Sequence, residues 1–250
     1  MSDLVFAHDN DVSGEICIKS KFLGKEPILC RSQYDSERCE TYWNQRIVLE
    51  KWQLNPTMPY PQWLFYGSKI PKPICDDIIK EALLIPAEDA TTFRTGAGGF
   101  VDKKTRLTRI RWMKPAHIMD SPVLRDLVRF IFQSAREVNA GFRVNYDSLP
   151  SIQVTEYLEP GYHYDWHHDI DWSRQDGKQR KLSFVIQMTD PEEYKGGNLE
   201  FRYIQNPQQD QLRGKGTIIL FMPYHEHRVT PIVSGSRISL VGWFEGEPWK

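Results

Sequence analysis

No run of apolar residues in this 250-residue chain approaches the roughly 20 needed to cross a bilayer. The opening MSDLVFAHDNDVSGE lacks the basic start and apolar stretch of a secretory signal, so a soluble cytoplasmic protein without a membrane partner is expected. Cysteine is scarce: Cys17, Cys30, Cys39 and Cys75 are irregularly spaced and form no C-x-x-C pair, which disfavours a zinc knuckle or redox motif and points to reduced thiols. Charge of one sign is also lacking, with 32 basic against 33 acidic residues, so no global field attracts nucleic acid. Gly96-Ala97-Gly98-Gly99 has no Lys-Ser or Lys-Thr after it, and nucleotide binding is disfavoured.

What is present suits one catalytic unit, since 40% hydrophobic residues over this length supply a core. Residues 1–60 read as an extension of unknown role, with a helix-like stretch from Ser36 to Trp52 that runs into the proline cluster Asn55-Pro56-Thr57-Met58-Pro59-Tyr60-Pro61. The catalytic domain is placed at 61–250. Ile74, Ile78, Ile79, Ala82 and Leu83 recur at helical spacing before Pro86. Asp89 to Lys104 is glycine-rich and aperiodic, a loop that suits a lid. Leu107 to Lys114 looks like a strand. A long amphipathic helix should start at the Ser121 cap and Pro122, with Leu124, Leu127, Val128, Ile131, Phe132, Ala135 and Val138 inward, and end at Gly141.

From Ser151 the character changes to short β-branched and aromatic runs separated by turns. These are Ile152–Leu158, Tyr162–Asp169, Lys181–Met188, Asn198–Tyr203, Gly216–Met222, Arg228–Ile232 and Arg237–Phe244, too closely spaced for helical crossovers. The fold class is therefore α+β with a mainly β core: supporting N-terminal helices, then an antiparallel double sheet of the jelly-roll kind.

Five of the seven histidines lie between 163 and 227, inside the β-rich half. In Tyr162-His163-Tyr164-Asp165-Trp166-His167-His168-Asp169 an extended chain puts residues i and i+2 on one face, so His-x-Asp can offer an imidazole nitrogen and a carboxylate oxygen to one ion. A histidine from a distant strand would complete a 2-His-1-carboxylate triad, which leaves half of an octahedral iron(II) shell open. His163-x-Asp165 and His167-x-Asp169 both fit, and spacing alone does not choose between them.

In the C-terminal piece, His227-Arg228-Val229-Thr230-Pro231 is followed by Gly235-Ser236-Arg237. Here the sequence resembles the 2-oxoglutarate and iron(II)-dependent dioxygenases, specifically the prolyl 4-hydroxylase-like group, over about residues 62–245. Tyr157, Pro160-Gly161, Tyr164 and His167-His168-Asp169 look like the family's first motif. Lys181-Leu182-Ser183, Gly196-Gly197, Gly216 to Phe221, His227 to Pro231 and Gly235-Ser236-Arg237 look like its later ones. The resemblance implies a double-stranded β-helix with iron(II) on His167, Asp169 and His227. It also implies Arg237 as the base for the distal carboxylate of 2-oxoglutarate, with Tyr157 and Ser239 as further co-substrate contacts. A planar guanidinium suits that role through two parallel charge-assisted hydrogen bonds.

The reaction so implied consumes 2-oxoglutarate and O₂, releases succinate and CO₂, and uses ascorbate to keep the iron reduced. A peptidyl proline is the first substrate; free amino acids, other small molecules, or a cupin-type metal protein without 2-oxoglutarate chemistry are the alternatives. His163, His168, Asp165 and Asp171 are read as groups other than ligands, and His225 as a poor rival to His227. His163-x-x-x-His167 lacks the glutamate of a zinc protease motif. Trp243 is assigned to the core and Trp166 and Trp172 to core or groove. Lys103, Lys104, Arg106, Arg109, Arg111 and Lys114 are taken as a solvated strand edge, with contact to an acidic substrate or nucleic acid as the alternative.

Overall fold

The computed structural model describes residues 4–6, 16–20, 61–91, 101–172 and 174–249. The helix expected over 36–52 and the glycine-rich part of the expected lid, 92–100, lie outside these.

In chain order the elements begin with β1 (Leu4–Phe6), β2 (Ile16–Ser20) and β3 (Trp63–Tyr66), then α1 (Lys72–Ala82), β4 (Glu88–Asp89), β5 (Arg106–Leu107) and β6 (Arg109–Met113). Two helices, α2 (Pro115–Asp120) and α3 (Pro122–Phe142), precede β7 (Ser148–Leu149), β8 (Ile152–Tyr157), β9 (His163–His167) and β10 (Gln179–Gln187). There follow β11 (Tyr194–Gly196), β12 (Leu199–Phe201), α4 (Gln209–Leu212), β13 (Ile218–Phe221), β14 (His227–Val229), β15 (Ile232–Gly235) and β16 (Arg237–Gly246). Every pairing is antiparallel. A ten-stranded sheet has β16 at its centre, flanked by β8 and β10, with β13 and β3 beyond β10, β6 and β4 beyond β8, and β7, β2 and β1 attached at the end of β16. Opposite it stand the four-stranded β12-β14-β9-β5 sheet and the β11-β15 pair. This is a double-stranded β-helix, as expected.

Alternation explains why the central strands are buried on both faces. Ile152 and Val154 of β8, Leu182, Phe184 and Ile186 of β10, and Leu240 and Phe244 of β16 point to the helices and form one core with Leu124, Leu127, Val128 and Ile131 of α3. The intervening Gln153, Thr155, Tyr157, Val185, Arg237, Ser239, Val241 and Trp243 point the other way, into the space between the sheets. Helices thus brace one face of the large sheet and leave the other for chemistry.

Three expectations need correction. Helix α3 does not stop at Gly141: it continues to Phe142 and closes on Arg143 in a left-handed conformation at φ 55°. The Asn139 side chain there bonds both the N–H and C=O of Val144, and Gly141 instead clears Pro61, whose Cγ would lie 3.0 Å from an added Cβ. Ser121 occupies the N-cap position of α3 in extended geometry but makes no side-chain cap bond, so Pro122 alone marks the start. Finally, β6 is no solvated edge, because it pairs with both β4 and β8. Arg111 is held there by Glu156, Nε to Oε1 at 2.8 Å, while Arg109 alone of these two faces solvent. Among the described residues no helix is long and apolar enough to cross a membrane.

Candidate active site

Strands β9 and β14 are neighbours in the small sheet, and their register sets His167 directly opposite His227. Two residues past His167, the chain leaves β9 and is held by the Asp169 N–H donating to the Pro223 carbonyl at 2.8 Å. The i, i+2 spacing then presents the Asp169 carboxylate beside both rings, with Oδ1 3.8 Å from His167 Nε2 and Oδ2 3.7 Å from His227 Nε2. One donor atom from each of the three residues falls within 4.8 Å of the others, a cluster able to hold a metal ion.

The far side of each ring is fixed. His167 Nδ1 lies 2.7 Å from the Asp165 carbonyl, and His227 Nδ1 lies 2.8 Å from the His225 carbonyl. A carbonyl can only accept, so both Nδ1 atoms carry the proton and both Nε2 lone pairs face the cluster. Burial, reinforced by the neighbouring His227, pushes the His167 pKa well below its usual value and keeps the ring neutral. Burial works against ionisation of Asp169, but it is outweighed by His227 and His167, through the charge either ring takes up on protonation, by Arg180 and by a 2.7 Å hydrogen bond donated by Ser183 Oγ to Oδ2, so the carboxyl is held below its ordinary range. Two neutral nitrogens and one carboxylate oxygen are the donor set that suits iron(II) with several positions left over.

Arg237 starts β16, opposite Tyr157 on β8. Gly235 makes the turn before it at φ 74°, where an added Cβ would meet the Glu193 carbonyl at 1.9 Å, so only glycine delivers the strand there. The side chain is 1% exposed. Nε and an Nη donate to Gln187 Oε1 at 3.2 and 2.9 Å, the other Nη faces Ser239 Oγ at 3.4 Å, and the guanidinium lies 5.0 Å over the Tyr157 ring. No carboxylate pairs with it among the described residues. A buried cation in this state is costly unless an anion completes it, and its remaining N–H groups are free to grip one.

His167, Asp169, His227, Arg237, Tyr157 and Ser239 all line one cleft of about 890 Å³. The other candidates fall elsewhere. Both nitrogens of His163 lie within 2.9 Å of backbone carbonyls, of Gly161 and Lys104, away from the triad. His168 and Asp171 are exposed at the cleft wall. Asp165 and His225 serve through their carbonyls. Trp172 is exposed on the wall, and Trp166 is packed between the guanidiniums of Arg202 and Arg228 at 4.4 and 4.5 Å.

Trp243 corrects the core assignment: β16 alternation turns it into the cleft, under Arg180 at 3.7 Å and against Trp112 at 6.4 Å. Arg106, assigned to a solvated edge, is buried on the same wall, 4.4 Å over Tyr164, which itself stacks on His167 with centroids 3.5 Å apart. Ser183 and Arg180 were given no role by sequence reasoning. The signal for Ser183 was its parity with Val185 and Gln187 on an inward strand face.

Comparison with known proteins agrees with this geometry. The family model for the 2OG-Fe(II) oxygenase superfamily matches residues 152–245. A PKHD-type hydroxylase of Maricaulis maris is 30% identical over 164 residues, spanning 63% of this chain and 73% of that protein. Among solved structures, a Pseudomonas putida prolyl-4-hydroxylase superposes with a TM-score of 0.56 at 18% identity, covering 75% of this chain and 94% of that one. A Trichoplax adhaerens prolyl hydroxylase, solved with a hypoxia inducible factor oxygen degradation domain peptide fragment, gives 0.55 at 14%, covering 73% and 83%. With the fold, the His-Asp-His cluster and a relative of this identity and coverage in agreement, the chain belongs to the 2-oxoglutarate/iron(II)-dependent oxygenase superfamily, has a prolyl 4-hydroxylase-like fold, and is an oxidoreductase that works with iron(II), 2-oxoglutarate and O₂.

Proposed function

We propose that the protein hydroxylates a prolyl residue of a peptide, with iron(II) held by His167, Asp169 and His227 and 2-oxoglutarate held by Arg237, Tyr157 and Ser239. The observation that carries this reading is a fully buried guanidinium without a carboxylate partner among the described residues, sharing one cleft with a His-Asp-His cluster. A cupin-type metal hydrolase has no use for such a cation.

Bound iron and its co-substrate supply, with O₂, the oxidising power to insert one oxygen atom into a C–H bond while the second enters succinate and the lost carboxyl leaves as CO₂. The chain's own residues orient and exclude. Backbone carbonyls 165 and 225 fix the imidazoles, Ser183 fixes Asp169, and Arg237 aligns the dicarboxylate by its far end so that its oxo-acid end faces the cluster. Tyr157, Tyr164, Trp112 and Trp243 wall the cleft against water. A volume of about 890 Å³ exceeds what a five-carbon dicarboxylate fills and leaves room for a segment of substrate. Peptidyl proline is supported by what the structural neighbours are named for and by the peptide bound to one of them.

The test is incubation of the iron-loaded protein with 2-oxoglutarate, isotopically labelled O₂ and a set of proline-containing peptides. One labelled oxygen on proline and one in an equimolar amount of succinate are expected. Labelled succinate with unmodified peptides would move the reading to another substrate of the same chemistry.

A further inference from the structure

Three guanidiniums reach the cleft wall without a carboxylate partner among the described residues, and 2-oxoglutarate accounts for only one of them. Arg106 is 8% exposed; its Nε donates to Thr108 Oγ1 at 3.1 Å, one Nη lies 3.5 Å from the Thr91 carbonyl, and its face rests on Tyr164. Arg180 donates one Nη to the Asp169 backbone carbonyl at 2.9 Å and sits 3.7 Å over the Trp243 ring, with its other N–H groups unengaged among the described residues. The Trp243 indole Nε1, on the same wall, is a buried donor with no partner among the described residues. The acids nearby are already committed. The Asp169 oxygens face the two imidazoles and Ser183, Glu245 takes both arms of Arg174, which also holds Asp176, and Glu226 is paired with Arg202. Asp171 stands at the exposed rim.

A metal dication, the Asp169 carboxylate, the co-substrate dianion and Arg237 together come to neutrality. Arg106 and Arg180 then remain in a wall of aromatic rings without a carboxylate in direct contact among the described residues, and a carboxylate able to accept from them is favoured there. We propose that Arg106 and Arg180, with the indole N–H of Trp243 beside Arg180, recognise a carboxylate on the primary substrate, so that the enzyme selects a target with an acid group next to the reacting carbon. In a peptide that group is an Asp or Glu flanking the proline. The inference rests on the hydroxylase reading above and deepens it.

The experiment compares three substrate pools on the full-length, iron-loaded protein: amide-capped prolyl peptides with Asp or Glu beside proline, the same peptides with Asn or Gln, and free amino acids with their own carboxylate. Succinate formation is read aerobically. Anaerobically, the substrate concentration that perturbs the visible band of the iron·2-oxoglutarate complex is read as a measure of binding. The acidic peptides are expected to exceed the Asn/Gln peptides at least tenfold in kcat/KM and in apparent affinity. In Arg106→Gln and Arg180→Gln that ratio should fall toward one, whatever the absolute rate. Preference for the free amino acids alone keeps the carboxylate subsite and assigns its occupant to an α-carboxylate. Equal response to acidic and neutral peptides, or response to no pool while the band forms, overturns the carboxylate proposal. Failure of the wild-type band to form overturns the hydroxylase reading instead.

Discussion

Arg237 and Ser183 show how single side chains set the site's affinity for groups they do not themselves transform. Arg237 is solvated by Gln187 and Ser239 on one side only, so on the proposed function replacing it by Gln removes the charge that would pair with the far carboxylate of 2-oxoglutarate. Truncating one partner of such a pair costs roughly 3–5 kcal/mol, and 2-oxoglutarate affinity of Arg237→Gln should fall by about two to four orders of magnitude. Arg237→Lys should recover part of this loss, since it restores the charge but not the fork. Direct titration of the co-substrate checks both. Ser183→Ala deletes the hydroxyl that orients Asp169 Oδ2 while leaving the three donors in place. Metal affinity should drop about 10- to 100-fold with little change in unfolding midpoint, measured by competition with a metallochromic chelator.

At the scale of elements, the working unit is a strand whose two faces do different jobs. Strand β16 turns Ile238, Leu240 and Phe244 to the helix-backed core and Arg237, Ser239, Val241 and Trp243 to the cleft. Gly242 falls on the core side of that alternation because Phe184 of β10 fills the place where its side chain would be, with ring carbon Cζ 2.4 Å from an added Cβ. Gly242→Ala should therefore cost about 1–3 kcal/mol by overpacking, read as a lowered denaturant midpoint with an unchanged slope.

This alternation is also what made the site legible. His167 and Asp169 two apart in an extended run, and Arg237 with Ser239 two apart in another, are local patterns that a chain displays before it folds. The remainder depended on pairings between strands distant in sequence. Nothing local to Arg106, Arg109 and Arg111 says that their strands lie against β9 on one side and β8 on the other, so while Lys103, Lys104, Arg109 and Lys114 are exposed as expected, Arg106 enters the cleft wall and Arg111 a part-buried ion pair. Trp243 is misassigned although its signal is local: it stands six residues after Arg237 on the same face of β16, so the alternation that puts Arg237 and Ser239 in the cleft carries Trp243 there too. The three-residue strand β11 carries too little pattern to register as a strand.

At the scale of the whole molecule, the helical layer is what holds the large sheet in place, and its titration sets a limit on the alkaline side. Burial pushes the thiol of Cys75, on the inner face of α1, from 9.0 up to about 12. Its folded pKa lies above its unfolded one, so the stability it contributes is fully present below pH 9 and is lost as pH rises toward 12. Stability measured by denaturant should fall through that window, with a shallower slope in Cys75→Ala. For the same reason Cys75 should resist alkylation at pH 8 until the protein is unfolded.

On the proposed function, one cleft joins a metal-binding face to a carboxylate-binding arginine. The measurement that tests it most directly is anaerobic titration of the metal-free protein with iron(II) and 2-oxoglutarate, followed by visible absorption, with Asp169→Ala and Arg237→Ala alongside. A charge-transfer band is expected on addition of both components, absent in Asp169→Ala and requiring much more 2-oxoglutarate in Arg237→Ala. Iron binding without a band in the wild type, or a band indifferent to Arg237, would contradict the account.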